Sequence, residues 1–260
     1  MVDIDAAIGY VVARGDAVDR ARLSFLRTGM APSEEIIHHV EVGQTAAGGW
    51  PAQWGGDVPS VDATCFRLAE LDDLNALGRP VATRALDWLV GRQRLDGFWE
   101  EDAALAEAAP PWARPGDPEA RFYLTASAAF WLAVASTERY EVALTRAAQA
   151  LRDALDDGTW PGFLVSGWLA GAVLHVTEYF YEAARIFILL GQRVSTMSAA
   201  DIASMTAALR RVGVAADDPL MVAARQRLTE TQRPDGGWPG DDSAFDVQVT
   251  LNALRALSTR

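Results

Sequence analysis

Carboxyl groups are the side chains this sequence supplies most freely for chemistry. Acidic runs stand at Asp72-Asp73, Glu100-Glu101-Asp102, Asp156-Asp157, Asp217-Asp218 and Asp241-Asp242, while Asp62 stands alone in "SVDATC", Ser60 to Cys65. Most of the runs fall at helix ends or in loops, where a solvated charge is the ordinary state. Asp62 is under two opposed influences. Ser60 reads as a helix N-cap, which puts Asp62 in the first turn, where the helix dipole favours the carboxylate and lowers its pKa. Phe66 lies one turn further on the same face, and shared burial would raise the pKa instead. Glu100 to Asp102 opens the long loop "EEDAALAEAAPPWARPGDP", and loops of that length often serve as lids. Asp246, three residues after Ser243, fits a capping box and a structural role.

Other chemistries are poorly supplied. All 23 basic residues are Arg, so a Schiff-base lysine and a phosphate-loop lysine are both excluded. Cys65 is the single cysteine and lies three residues from Asp62. His38 and His39 are neighbours and point about 100° apart on a helix, and His175 lies in an apolar stretch. No metal and no cofactor are expected from these residues. A net charge of −12 argues against a nucleic-acid partner. One cysteine excludes an internal disulfide framework and fits a reducing compartment. The start, "MVDIDAAIGY", lacks the basic and apolar pattern of a signal peptide, so a cytoplasmic location is expected. The most apolar stretch, "WPGFLVSGWLAGAVLHVT", is diluted by Gly, Ser and His and reads as a buried helix.

The elements that must position these groups are helices. Alternating strand patterns are almost absent. Helices are expected near 33–44, 60–77, 81–93, 119–137, 139–155, 163–175, 177–191, 198–212, 218–231 and 243–258, with two more in the first 30 residues, broken at Gly15. One phrase recurs between them: "QTAAGGW" from Gln44, "QRLDGFW" from Gln93 and "QRPDGGW" from Gln232. A decayed copy, "ALDDGTW", keeps Gly158 and Trp160 but has Ala154 in the Gln place. The first two phrases lie 49 residues apart and the next full copy 139 further on, about one and three units of two helices each. Such periods imply stacked supersecondary units. An amphipathic helix precedes each phrase and a more apolar one follows it. About six pairs are expected, enough to close a ring as one domain over 1–260.

The three phrases resemble the QW motif of the terpene cyclase family, which includes the squalene–hopene cyclases, and whose (α/α)6 toroid also occurs in protein prenyltransferase β subunits. The resemblance covers roughly 33–258 and implies an all-α (α/α)6 toroid with a deep apolar cavity. Class II members protonate an alkene or epoxide with the central Asp of an Asp-X-Asp-Asp motif, and the best match here is Asp62; Ser60 and Ala63 replace the flanking acids. No Asp-Asp-X-X-Asp magnesium motif is present. By resemblance Asp62 is the expected catalytic acid, and Phe66, Phe122, Tyr123, Trp131, Phe163, Trp168 and Tyr179 are candidates for a cavity wall whose ring faces would stabilise cations.

The expected function is therefore a small cyclase or isomerase acting on an apolar polyene or isoprenoid. The alternative is a silent toroid that binds a hydrophobic ligand or pairs with a second domain. Peripheral membrane contact, a homodimer and a partner subunit stay open as partner readings. A carbohydrate-active toroid using paired carboxylates is disfavoured by the three phrases.

Overall fold

The computed structural model describes residues 2–135 and 138–258. Helices begin where local chemistry can satisfy their unpaired N–H groups. The chain runs through α1 (Ile4–Arg14), α2 (Ala17–Thr28), α3 (Glu34–Glu41), α4 (Val61–Asp73), α5 (Pro80–Arg92), α6 (Pro118–Ala135), α7 (Glu141–Asp153), α8 (Leu164–Val176), α9 (Phe180–Arg193), α10 (Ala199–Arg211), α11 (Pro219–Thr231) and α12 (Asp246–Leu257). Asp3, Ser60, Ser198 and Asp218 cap α1, α4, α10 and α11 through their side chains, and Asp16 with Asp19 forms a capping box on α2. Proline opens α5 and α11, where its missing N–H is no loss. The expected break at Gly15 separates α1 from α2. Residues 136 and 137, the end of the expected 119–137 helix, lie outside the described residues. A two-residue antiparallel ladder joins Trp50–Pro51 to Pro59–Ser60. Among the described residues no helix is long and apolar enough to cross a membrane.

The chain falls into two compact units: 37–186, and 2–36 together with 187–258. In the first, α6 packs against α4, α7 and α8, and α4 also packs against α5. Helix α6 is buried on nearly every side, as is α8, in keeping with their uniformly apolar sequences. In the second unit, α12 packs against α10, α1 and α2. The two ends of the chain therefore complete one unit together, and the first 36 residues supply a helix pair to which no repeat phrase pointed.

The repeated phrase has a definite job at each turn. Trp50, Trp99 and Trp238 are 2%, 0% and 0% exposed. Their indole N–H groups donate to Val42 O, Leu89 O and Leu228 O, at or near the end of the preceding helix, at 3.2, 2.7 and 2.8 Å. Their backbone N–H groups donate to the hydroxyls of Thr64, Thr125 and Thr250, inside the following helix, at 3.0, 2.9 and 3.1 Å. The glutamine does the lateral work. Gln44, Gln93 and Gln232 each donate to the carbonyl of their own loop glycine and to Val81 O, Ala143 O and Asp3 O. Those acceptors lie at the start of α5, α7 and α1. Each buried Trp contributes on the order of 4–6 kcal/mol as an upper bound, from its area and the usual transfer coefficient. Gly97 has φ +88°, and a Cβ there would sit 2.6 Å from Arg146 O, so glycine is required. Where Ala154 replaces the glutamine, the loop closes by a bridge between Asp156 and Thr159, and Trp160 turns its indole N–H to Phe163 O at 2.9 Å.

Candidate active site

The first turn of α4 is capped from outside its own segment. Ser60, fully buried, accepts from the Ala63 N–H at 3.1 Å and donates its hydroxyl proton to Glu101 Oε1 at 2.7 Å. Glu101 is 4% exposed. Its Oε2 accepts from the Val61 N–H at 2.8 Å and its Oε1 from the Asp62 N–H at 2.9 Å. A carboxylate at a helix N-terminus satisfies orphan donors and meets the positive end of the dipole. Glu101 reaches this place because it follows Trp99 by two residues, and Trp99 is anchored. Salt bridges hold the same stretch against α6: Arg121 pairs with Asp96, Glu100 Oε1 lies 3.5 Å from Arg121 and Glu100 Oε2 3.0 Å from Arg94.

Asp62 points from this turn toward α6 and the 100–118 loop. Its Oδ1 accepts from the Tyr123 hydroxyl at 2.9 Å, and its Oδ2 from the Trp112 indole N–H at 3.1 Å. Burial raises its pKa above the usual aspartate range, with the bonds from Trp112 and Tyr123 working against that rise. Burial also raises Glu101, opposed by its hydrogen bonds from Asp62, Ser60 and Val61; a charge on Asp62, were it ionised, would add to the rise. Among the described residues neither carboxyl forms an ion pair. Tyr123 is pushed well above the ordinary phenol value, by burial first and by Asp62 second, so it stays a proton donor. Burial pushes the Cys65 thiol up, the wrong direction for a thiolate ligand, and a hydrogen bond links it to Ser127. Among the described residues no cluster of three His, Cys, Asp or Glu is placed to hold a metal.

Register explains the pairing. Asp62 precedes the tryptophan-binding Thr64 by two residues, and Tyr123 precedes Thr125 by two. The two side chains are the same position in successive repeats. The loop between them carries two 3₁₀ turns, Ala103–Leu105 and Pro111–Ala113, with Leu105 and Ala113 buried and Trp112 left 44% exposed.

The candidate wall residues divide. Tyr123 meets Asp62 and stacks edge-on to Phe163, with centroids 6.3 Å apart. Phe66 is exposed, one turn beyond Asp62. Phe122 and Trp168 are buried side chains at 1% and 3% exposure. Trp131 packs edge-on to Phe130, and Tyr179 lies under the Arg152 guanidinium. His38 and His39 are exposed on α3, and His175 is edge-on to Phe180. Trp112 was not among the expected residues, and Glu101 was expected only as a loop acid. Asp246 is structural, but its bonds run to Gly240 N–H, Arg233 and Tyr10 instead of to Ser243. Burial works to raise its pKa, yet Gly240 and Arg233 hold it below the usual range.

No protein-family model and no curated protein matches the chain. Solved structures do match. A protein from Actinoplanes is 18% identical, with TM-score 0.65 and 97% of each chain covered. The type II terpene cyclase MstE from Scytonema, in its apo form, is 13% identical, with TM-score 0.63, covering 98% of this chain and 96% of that one. A variant of it in complex with geranylgeranyl dihydroxybenzoate, its substrate, is 14% identical, with TM-score 0.62 and coverage of 98% and 95%. At these identities the likeness is one of fold, and the fold is the all-α, terpene-cyclase-like toroid that the repeated phrases implied.

Proposed function

We propose that this chain is a single-domain cyclase that isomerises a prenylated or similarly apolar polyene by proton transfer from Asp62. The observation that carries the proposal is the Asp62 carboxyl itself: half-buried, unpaired with any cation among the described residues, and held at both oxygens by neutral donors. A carboxyl in that state keeps its proton to higher pH than an exposed aspartate, as a general acid requires. Two donors occupy two of its roughly four lone-pair positions, which leaves room for the proton. The chemistry is a closed cycle. The Asp62 proton goes to an alkene carbon, whose π pair forms the new C–H bond. The cation left on the adjacent carbon is attacked by the next alkene, which closes a ring. A later proton loss from carbon restores an alkene, and solvent returns a proton to Asp62. The product is an isomer of the substrate, and no oxidant or metal enters the balance. Exposed ring surface at Phe66 and Trp112 beside the acid suits cation stabilisation. Structures of MstE variants hold a prenylated substrate and the product merosterolic acid A, which supports the same ligand class here and supports one toroid as sufficient.

The second reading, a silent toroid that binds a hydrophobic ligand or serves a partner subunit, draws on Ser60 and Ala63 standing where flanking acids are expected. One experiment separates the two. Purified protein is incubated with geranylgeranyl dihydroxybenzoate and a panel of free and aryl-linked polyenes, followed by chromatography with mass detection. The cyclase reading expects a new compound of unchanged mass, lost by at least about 10²-fold in Asp62→Asn at unchanged melting temperature. Equal yield from Asp62→Asn, or bound but unconverted polyene across the panel, overturns it.

A further inference from the structure

We infer that Glu101 is the positioning residue of this site: a fixed carboxylate whose charge keeps the adjacent Asp62 carboxyl protonated. The role rests on the cyclase reading; the coupling between the two carboxyls does not. Three donors converge on Glu101, and one of them is the backbone N–H of Asp62. The two acids therefore share one helix end, with Glu101 buried and Asp62 half-buried, where two neighbouring negative charges are disfavoured. One of them must hold the proton, and the donor sets decide which. Glu101 receives a hydroxyl and two backbone N–H groups at the N-terminus of the 13-residue α4, all stabilising the anion. Asp62 receives one hydroxyl and one indole N–H from a half-exposed side chain. The anion settles on Glu101 and the proton on Asp62.

The surroundings leave this pair to itself. From α4, Cys65 faces it with a thiol held neutral by burial. From α6, Tyr123 faces it with a neutral phenol. In the incoming stretch, Glu100 is engaged by Arg94 and Arg121, and Asp96 by Arg121. No cation reaches Glu101 among the described residues, so its charge acts on Asp62 without a counter-ion. Ser60 and Ala63 bring no acid of their own, and the neighbouring repeat supplies one through space.

Carboxyl 13C NMR of protein labelled at Asp Cγ and Glu Cδ tests this without any substrate. Asp62→Asn identifies the Asp62 resonance and Glu101→Gln the Glu101 resonance. In the wild type, Glu101 should ionise in the lower step and Asp62 in the upper. Asp62→Asn should delete the upper step and leave the Glu101 midpoint nearly in place, because Asp62 is already neutral where Glu101 titrates. Glu101→Gln should lower the Asp62 midpoint by about one pH unit or more, the size at which two sites titrate as a pair. An Asp62 midpoint unmoved by Glu101→Gln overturns the inference. If Glu101→Gln fails to fold, the wild type and Asp62→Asn still decide, since deletion of the lower step instead of the upper overturns it. A coupled pair in a protein that cyclises nothing defeats the cyclase reading and the role with it, leaving the coupling. Uncoupled carboxyls in an active enzyme defeat this inference alone.

Discussion

Asp62 is pulled both ways. Burial favours its acid form, and the Trp112 and Tyr123 donors favour its carboxylate. The proposed cyclisation would consume the acid form, so its rate should fall as pH rises through the Asp62 pKa. Removing one donor relieves a lowering influence and raises that pKa. Trp112→Phe should therefore move the falling limb of kcat/KM to higher pH while keeping an aromatic plate over the site. A limb at the same or lower pH would remove Trp112 from the tuning. Asp62 stood out in the sequence by its resemblance to the central acid of a family motif, and its place in the first turn of α4 was legible from the Ser60 cap. Trp112 and the Glu101 cap were not, because they arrive from an irregular loop 50 and about 40 residues away. The available signal was register: Glu101 stands two residues after an anchored tryptophan.

At the scale of elements, each phrase ties three helices, and its two marked residues do different amounts of work. Trp99 fills a fully enclosed site and uses both of its N–H groups. Gln93 is partly exposed and uses one amide group to bridge Gly97 O and Ala143 O at 3.0 and 2.9 Å. Trp99→Ala should cost about 3–5 kcal/mol through the cavity and lost transfer energy. Gln93→Ala should cost about 1–2 kcal/mol, the scale of hydrogen bonds removed from partly solvated carbonyls. Denaturant unfolding of both variants checks the order; a glutamine variant as damaged as the tryptophan variant would mean the lateral bonds dominate. The helices were legible because their periodicity and caps are local. The division of aromatics between core and site was not: Phe122 and Tyr123 are adjacent letters on α6, one enclosed and the other on Asp62. A uniformly apolar helix has no stripe to say which face meets what.

For the whole molecule, repeat spacing carried the fold class, and solved structures at 13–18% identity bear it out. Spacing did not show that residues 2–36 join 187–258 in one unit, since α1 and α2 carry no phrase and long-range pairing leaves no local mark. The central claim concerns a proton: that the molecule makes carbon–hydrogen bonds with the hydrogen of Asp62. Turnover in deuterium oxide measures this directly, because the Asp62 carboxyl exchanges with solvent between cycles. Cyclised product should carry one non-exchangeable deuterium on the carbon that was the protonated alkene terminus, and Asp62→Asn should yield no such product. Product free of carbon-bound deuterium, or equally labelled product from Asp62→Asn, would contradict the account.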